Sequence, residues 1–458
     1  MAGKANNMTS KVSAVEHSIF AEYKTKTPQS SELYERARKS LAGGVTGNLR
    51  YFEPYPLYES GGQGSKVYDA DGNQYIDCFL CNGPLLLGHN HPAVLSAIEE
   101  YKSIGSLVVN PSIMIEAAEL LQKTVPCAER IRFLNSGTEA VIMAVRYARA
   151  YSGKTKIIKF HGHYHGQQDQ LLTGLTDSKA AFGDGVPTSI TDNTVLAKYD
   201  DIEALEKTIT ENTDIAAIIL DPAMHAGGLW GSSKDYLIAV RDLTLKHDIV
   251  LIFDEVITGF RLSLGGGQGY FGVTPDLATF GKALGAGEKL AAVVGKEEIM
   301  RVVDPLAPES VPSVFQSGTS NDGTGGIAAG IGAIKAYMSL EKQDGYEYLH
   351  AIGFQLASGI REAFSSRDIP CHVNQVGPML QLFLSADRPS FEKYVNLDIK
   401  VLSLFFLGLI NEGVILTLPT SNHIYLSFLH SEEDIKTIIK KINLVLDKYD
   451  FQTIGQLE

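Results

Sequence analysis

Cysteine is scarce in this chain. Four residues, Cys78, Cys81, Cys127 and Cys371, are spread over 458, too few for a disulfide framework. Cys78 and Cys81 form a lone CxxC inside the apolar stretch YIDCFLC, with no second pair at metal-ligand spacing, and read as buried thiols. His161, His163 and His165 alternate along the chain, yet no carboxylate or cysteine cluster stands near them, so no metal site is expected. Cations are in the minority: 40 Lys and Arg against 53 Asp and Glu leave a net charge of −13, which argues against nucleic acid or an anionic membrane as partner. No run approaches the roughly eighteen apolar residues of a membrane span. Residues 1–30 are polar and mixed in charge, without the apolar core of a secretion signal, so a cytoplasmic protein is expected. There is no internal repeat and no low-complexity tract.

What remains is the composition of a soluble globular protein, 44% hydrophobic and 20% charged, long enough for two domains and a large core. Residues 1–30 read as a flexible lead. A segment over 31–85 follows, with a helix at 31–40, a Gly- and Pro-rich loop, and a β-hairpin or meander at 58–80 that turns at Asp71-Gly72. A helix starts near Pro92. From there to about residue 300 strands and helices alternate, with strands expected at 131–134, 156–160, 195–199, 215–220, 249–253, 277–280 and 290–295. The economical fold class is α/β, a mainly parallel sheet with helices on both faces, over a large domain at 86–328. Beyond it, 329–458 reads as a smaller α+β domain to which the N-terminal segment is joined.

The stretch at 249–285 concentrates the chemistry. Five apolar residues end in Asp254 and Glu255, and a second short strand ends in Gly281-Lys282. Ligands of open α/β sheets bind at the carboxyl ends of strands. An acid and an amine there suit pyridoxal phosphate, which needs a lysine for its Schiff base and an acid to keep its ring nitrogen protonated. A DE pair closing a strand is also the mark of a solvated turn or a salt bridge, and of a Walker B motif. The formal phosphate-loop match at 148–155 fails as a partner, because it follows a helical run and leads into a strand.

Other stretches complete a candidate site. NSGTEA at 135–140 lies between a strand and an Ala-rich helix, where free N–H groups and the Ser136 and Thr138 hydroxyls form an anion site suited to a phosphate. A simple helix cap would use the same hydroxyls. Tyr164 follows the strand at 156–160 and is placed to stack on a flat ring. The turn QSGTS at 316–320 offers hydroxyl and N–H groups to a phosphate. Arg50 is the cation of interest in the N-terminal loop.

Together, DEVITGFR, PDLATFGKALG, NSGTEA, YHG and GHNHP resemble the class III aminotransferases of pyridoxal phosphate fold type I, in the branch of glutamate-1-semialdehyde aminomutase and several amino-acid aminotransferases. The resemblance covers roughly residues 30–450. It implies that Lys282 is the Schiff-base lysine and proton shuttle, and that Asp254 pairs with the ring nitrogen. It places Val256 and Tyr164 on the two ring faces, with His165 beside them, and Ser136, Gly137 and Thr138 on the phosphate. Thr319 is implied to reach the phosphate of a partner subunit, which makes the enzyme a homodimer with shared active sites. Arg50 resembles an arginine set against a substrate carboxylate. The usual Glu-Pro is Asp221-Pro222 here, with His225 close by, and these two stand where a partner of the ring hydroxyl is expected. Asn82 and Asn422 occupy substrate-side positions where the aminomutase has a tryptophan and an acid. The implied activity is amino transfer from an amino-acid donor to a 2-oxo acid acceptor by a ping-pong route. The alternatives are an intramolecular aminomutase, a racemase or epimerase, and a pyridoxal phosphate-binding protein without catalysis.

Overall fold

The computed structural model describes residues 2–176, 181–231, 233–389, 391–395, 397 and 399–454. The chain forms two compact units, one of Met1–His91 with Glu347–Glu458 and one of Pro92–Tyr346.

The first unit opens with a difference from the sequence reading. Instead of a flexible lead, Ala2–Lys26 is a helix. Val15, Ile19 and Tyr23, four residues apart, are buried on one face of it. That face packs on the helix Lys400–Asn411. Tyr23 Oη donates to the Tyr55 carbonyl at 3.0 Å, and Asn411 Nδ2 to the Ile19 carbonyl at 3.0 Å. The mixed charge of the segment masks this narrow apolar stripe. The expected meander follows as β1 (Glu59–Gln63), β2 (Lys66–Asp69) and β3 (Gln74–Asp77).

The second unit holds β4 (Arg130–Leu134), β5 (Lys156–Phe160), β6 (Thr194–Ala197), β7 (Ile215–Leu220), β8 (Val250–Asp254), β9 (Leu277–Phe280) and β10 (Ala291–Gly295) in one seven-stranded sheet. Its order is β4-β10-β9-β8-β7-β5-β6. Strand β10 runs antiparallel to both neighbours, and the remaining pairs are parallel. This is the α/β, mainly parallel architecture expected. Every residue of β7, β8, β9 and β10 is buried, as near-continuous apolar strands covered on both faces must be. Each buried Ile, Leu, Val or Phe among them contributes about 1.5–3 kcal/mol. Helices such as Gly137–Ser152 and Lys234–Lys246 cover the sheet. The former closes at Gly153, left-handed at φ 69°, and the chain then enters β5. No phosphate loop can form in that order.

The first unit resumes with β11 (His372–Val376), β12 (Met379–Phe383), β13 (Val414–Ile415) and β14 (Ile424–Tyr425). The last two are shorter than their apolar runs. Strand β13 pairs parallel with β3, Val414 beside Ile76, so the two ends of the chain share a sheet. Among the described residues no helix is long and apolar enough to cross a membrane.

Candidate active site

Because β4, β5, β7, β8 and β9 are parallel, the segments that follow them gather at one edge of the sheet. Asp254 closes β8 and is only 6% exposed. Its Oδ1 accepts Thr279 Oγ1 at 3.0 Å and the Val256 N–H at 3.2 Å, and its Oδ2 lies 2.7 Å from His165 Nδ1. Burial holds His165 below its ordinary range in spite of the neighbouring carboxylate, so the ring is neutral and Nδ1 donates. All three donors are neutral, and a carboxylate has about four acceptor positions. Asp254 therefore has room for one more N–H.

Glu255, the other half of the pair, points into the protein. It accepts the N–H groups of Gly267 at 2.7 Å and Gln268 at 2.8 Å and the Thr258 hydroxyl at 2.5 Å. Burial pushes its carboxyl upward. Gly266 is left-handed at φ 70°, and a Cβ there would sit 2.8 Å from Glu255 Oε2, so this anchor needs glycine.

Lys282 follows β9, half-buried at φ 43°. A left-handed backbone in a non-glycine residue is strained and marks a position over-determined by its surroundings. Gly281 lies against Gly137, whose Cα would stand 3.6 Å from a Cβ added to it. A Cβ on Gly137 would in turn meet both Val256 methyls at 2.9 Å. The NSGTEA loop, Val256 and the lysine turn are thus packed together with space only for hydrogen at Gly137.

Ser136 takes the capping role in full. Its Oγ accepts the Glu139 N–H at 3.2 Å while Glu139 accepts the Ser136 N–H at 3.0 Å. Thr138 Oγ1 accepts the Gln167 N–H at 3.3 Å. The hydroxyls are engaged, and the amides of Gly137 and Thr138 remain at the first turn, where a helix leaves its N–H groups without intrahelical acceptors. Tyr164 is 44% exposed, beside buried His165. Asp221 is buried, with Oδ1 on the Ala223 N–H and Oδ2 on the His225 N–H, each at 2.9 Å, and burial raises its carboxyl to about 7. Its oxygens brace their own loop. Thr319 is exposed, in a turn tied to the NSGTEA loop by Asn135 Nδ2 donating to Asn321 Oδ1 at 3.1 Å.

The substrate-side candidates lie in the first unit. Arg50 ends a short helical turn, exposed, with Nη2 3.8 Å from Cys81 Sγ. It lines a pocket of about 280 Å³. Asn82, left-handed at φ 67°, accepts from Tyr425 Oη at 3.2 Å. The Asn422 amide brackets β12, accepting the Leu382 N–H at 3.1 Å and donating to the Leu382 carbonyl at 2.6 Å. His423, 3.4 Å from Asn82 Oδ1, and Tyr425 are the side chains that meet Asn82. Sequence reasoning missed both, and Thr279 as well. Thr279 had a signal: a hydroxyl three residues before the lysine, on the strand that neighbours the one closed by Asp254.

Residues 52–446 match the class III aminotransferase family. The glutamate-1-semialdehyde 2,1-aminomutase of Methanocaldococcus jannaschii is 38% identical over 429 residues, spanning 92% of this chain and 99% of the relative. An omega-transaminase from Sphaerobacter thermophilus superposes with a TM-score of 0.85 at 31% identity, over 91% of this chain and 97% of that one. A transaminase with pyridoxal phosphate bound gives 0.83 at 28% identity, over 93% and 99%. The residues present fit that cofactor: a buried carboxylate with one acceptor position left, an amine on the adjacent strand end, and a cradle at Gly137 that a Cβ would fill. The chain belongs to the class III aminotransferases, and pyridoxal phosphate is its cofactor.

Proposed function

We propose that this enzyme transfers an amino group from an amino acid with an apolar side chain to a 2-oxo acid, by a ping-pong route, as a cytoplasmic homodimer. Pyridoxal phosphate, when bound, supplies an aldehyde that takes up the amine and a ring that drains electrons from the substrate carbon. Lys282 Nζ holds the cofactor at rest and then carries the proton taken from the amine-bearing carbon of the substrate. The Asp254 carboxylate keeps the proton on the ring nitrogen, while Thr279, Val256 N–H and His165 hold the carboxylate still. The amides of Gly137 and Thr138 receive the phosphate at the positive end of the helix Gly137–Ser152. Val256 would support one face of the bound ring and Tyr164 the other. His225 and the loop braced by Asp221 would serve the ring hydroxyl. Thr319 serves the phosphate of the partner subunit; the exposed Leu306 (89%) and Phe315 (81%) of the same segment support its burial by a second copy.

The observation that carries the substrate class is the pocket beside Arg50. Its walls include Leu41, Val45, Phe52, Phe79, Ile415 and Leu418. A guanidinium next to an apolar wall suits a carboxylate on a molecule with an apolar side chain. The second reading, an aminomutase, is supported by the name of the 38% identical relative. Initial rates separate the two. An aryl amino acid with 2-oxoglutarate should give parallel double-reciprocal lines; isomerisation of glutamate-1-semialdehyde without an acceptor, and no rate with the aryl donor, would establish the second reading instead.

A further inference from the structure

His163 has no part in the chemistry above. It is fully buried, with its ring centroid 4.6 Å from that of Tyr199, 5.5 Å from Phe160 and 5.8 Å from His165. Its Nδ1 lies 3.1 Å from the Asp221 N–H. A backbone N–H only donates, so Nδ1 is the bare nitrogen and a neutral ring carries its proton on Nε2. His165 is arranged the other way round. Its Nδ1 donates to Asp254 Oδ2 at 2.7 Å, which leaves Nε2 bare. Both Nε2 atoms are buried, and neither meets a hydrogen-bond partner among the described residues. One is a donor and the other an acceptor.

Both rings are neutral in this environment. Burial drives His163 well below its ordinary range, and His165 and Lys159 act in the same direction. Burial lowers His165 too, and the positive charge of Lys159 adds to that. Lys159 is itself fully buried, donating to the carbonyls of Leu171 at 2.8 Å and Thr173 at 2.7 Å. Native interiors rarely leave a complementary donor and acceptor unsatisfied, and a buried water typically serves such groups.

We infer that His163 is a positioning residue for Asp254: one buried water accepts from His163 Nε2–H and donates to His165 Nε2, completing a hydrogen-bonded line from the Asp221 amide to the Asp254 carboxylate. The line fixes His165 as the Nδ1–H tautomer. The opposite tautomer would turn a lone pair on the carboxylate and loosen it. The significance for turnover rests on Asp254 acting at the cofactor ring; the hydrogen-bonded line itself does not.

The test has a cofactor-free arm and a kinetic arm. Protein labelled with nitrogen-15 histidine and stripped of cofactor should show His163 as Nε2–H and His165 as Nδ1–H, both neutral at neutral pH. His163→Phe keeps an aromatic ring against Tyr199 and Phe160. It should shift the His165 Nε2 resonance and speed exchange of its ring proton. In the loaded enzyme it should lower kcat about tenfold with KM within about twofold. His163→Gln, whose amide N–H reaches the ε position, should restore kcat to within about threefold of the parent. Finding wild-type His165 as Nε2–H or doubly protonated would overturn the inference, as would His165 resonances and kcat unmoved by His163→Phe. Should the Phe variant not fold, the wild-type tautomers and the Gln variant still decide. Since the NMR arm uses no cofactor, it judges the line even where Asp254 proves to have no role at the ring.

Discussion

Thr279 and Asp254 stand opposite each other on adjacent parallel strands, and the threonine hydroxyl donates to Asp254 Oδ1 at 3.0 Å. The residue two positions before Gly281-Lys282 thus holds the acid proposed to serve the cofactor ring. Thr279→Val keeps the shape and removes the donor. A hydrogen bond to a buried charge contributes about 1.5–3 kcal/mol. The variant should unfold at lower temperature and lose roughly tenfold in kcat/KM, measured by calorimetry and initial rates.

The contact between Gly137 and Val256 predicts a coupled pair. Gly137→Ala drives a methyl group to 2.9 Å from both Val256 methyls, an overpacking that costs about 1–3 kcal/mol. Cofactor affinity should fall with it. Adding Val256→Ala should recover much of the loss in stability, and a double-mutant cycle by denaturant unfolding of the cofactor-free protein measures the coupling. Additive effects would contradict this packing.

Lys159 predicts a pH dependence of stability. Burial lowers it from an ordinary 10.5 to about 7, so between those values the unfolded chain binds a proton that the native chain does not. Native stability therefore rises with pH across that window. Relative to Lys159→Met, the wild type should gain stability from pH 7 upward, by a few kcal/mol at most. Unfolding midpoints of both proteins at several pH values would show it; a constant difference would mean that Lys159 stays charged.

Much of the second unit was legible because its strands are short apolar runs bounded by glycine and charge. Strands at 156–160, 215–220 and 277–280 stand where their sequence puts them. Asp254 and Lys282 stand at the strand ends where the sequence puts them for the same reason, each being the first charged group after a buried run. Less was legible where side chains act at a distance in sequence. Among the described side chains of the Ala2–Lys26 helix, Val15, Ile19 and Tyr23 are the buried apolar ones, set in a polar background. The Asn422 amide is engaged by the backbone of Leu382, forty positions away, and it is His423 that meets Asn82. No local pattern reports such a choice between neighbours. Asp221 matched a motif position, yet both its oxygens hold amides of its own loop.

Arg50 predicts a split between substrate classes. Arg50→Ala should raise KM about tenfold or more for amino-acid donors, with little change for an aryl amine that lacks a carboxylate. Steady-state kinetics on the two donors tests this, and an equal loss on both would remove Arg50 from substrate recognition.

The most direct measurement mixes the cofactor-loaded enzyme with a saturating aryl amino donor and no 2-oxo acid, and counts product per site, with Lys282→Ala as the inactive control. About one equivalent of oxo acid per site should form, after which the reaction should stop until a 2-oxo acid is added. Product that keeps accumulating without an acceptor, or an active Lys282→Ala protein, would contradict amino transfer through Lys282.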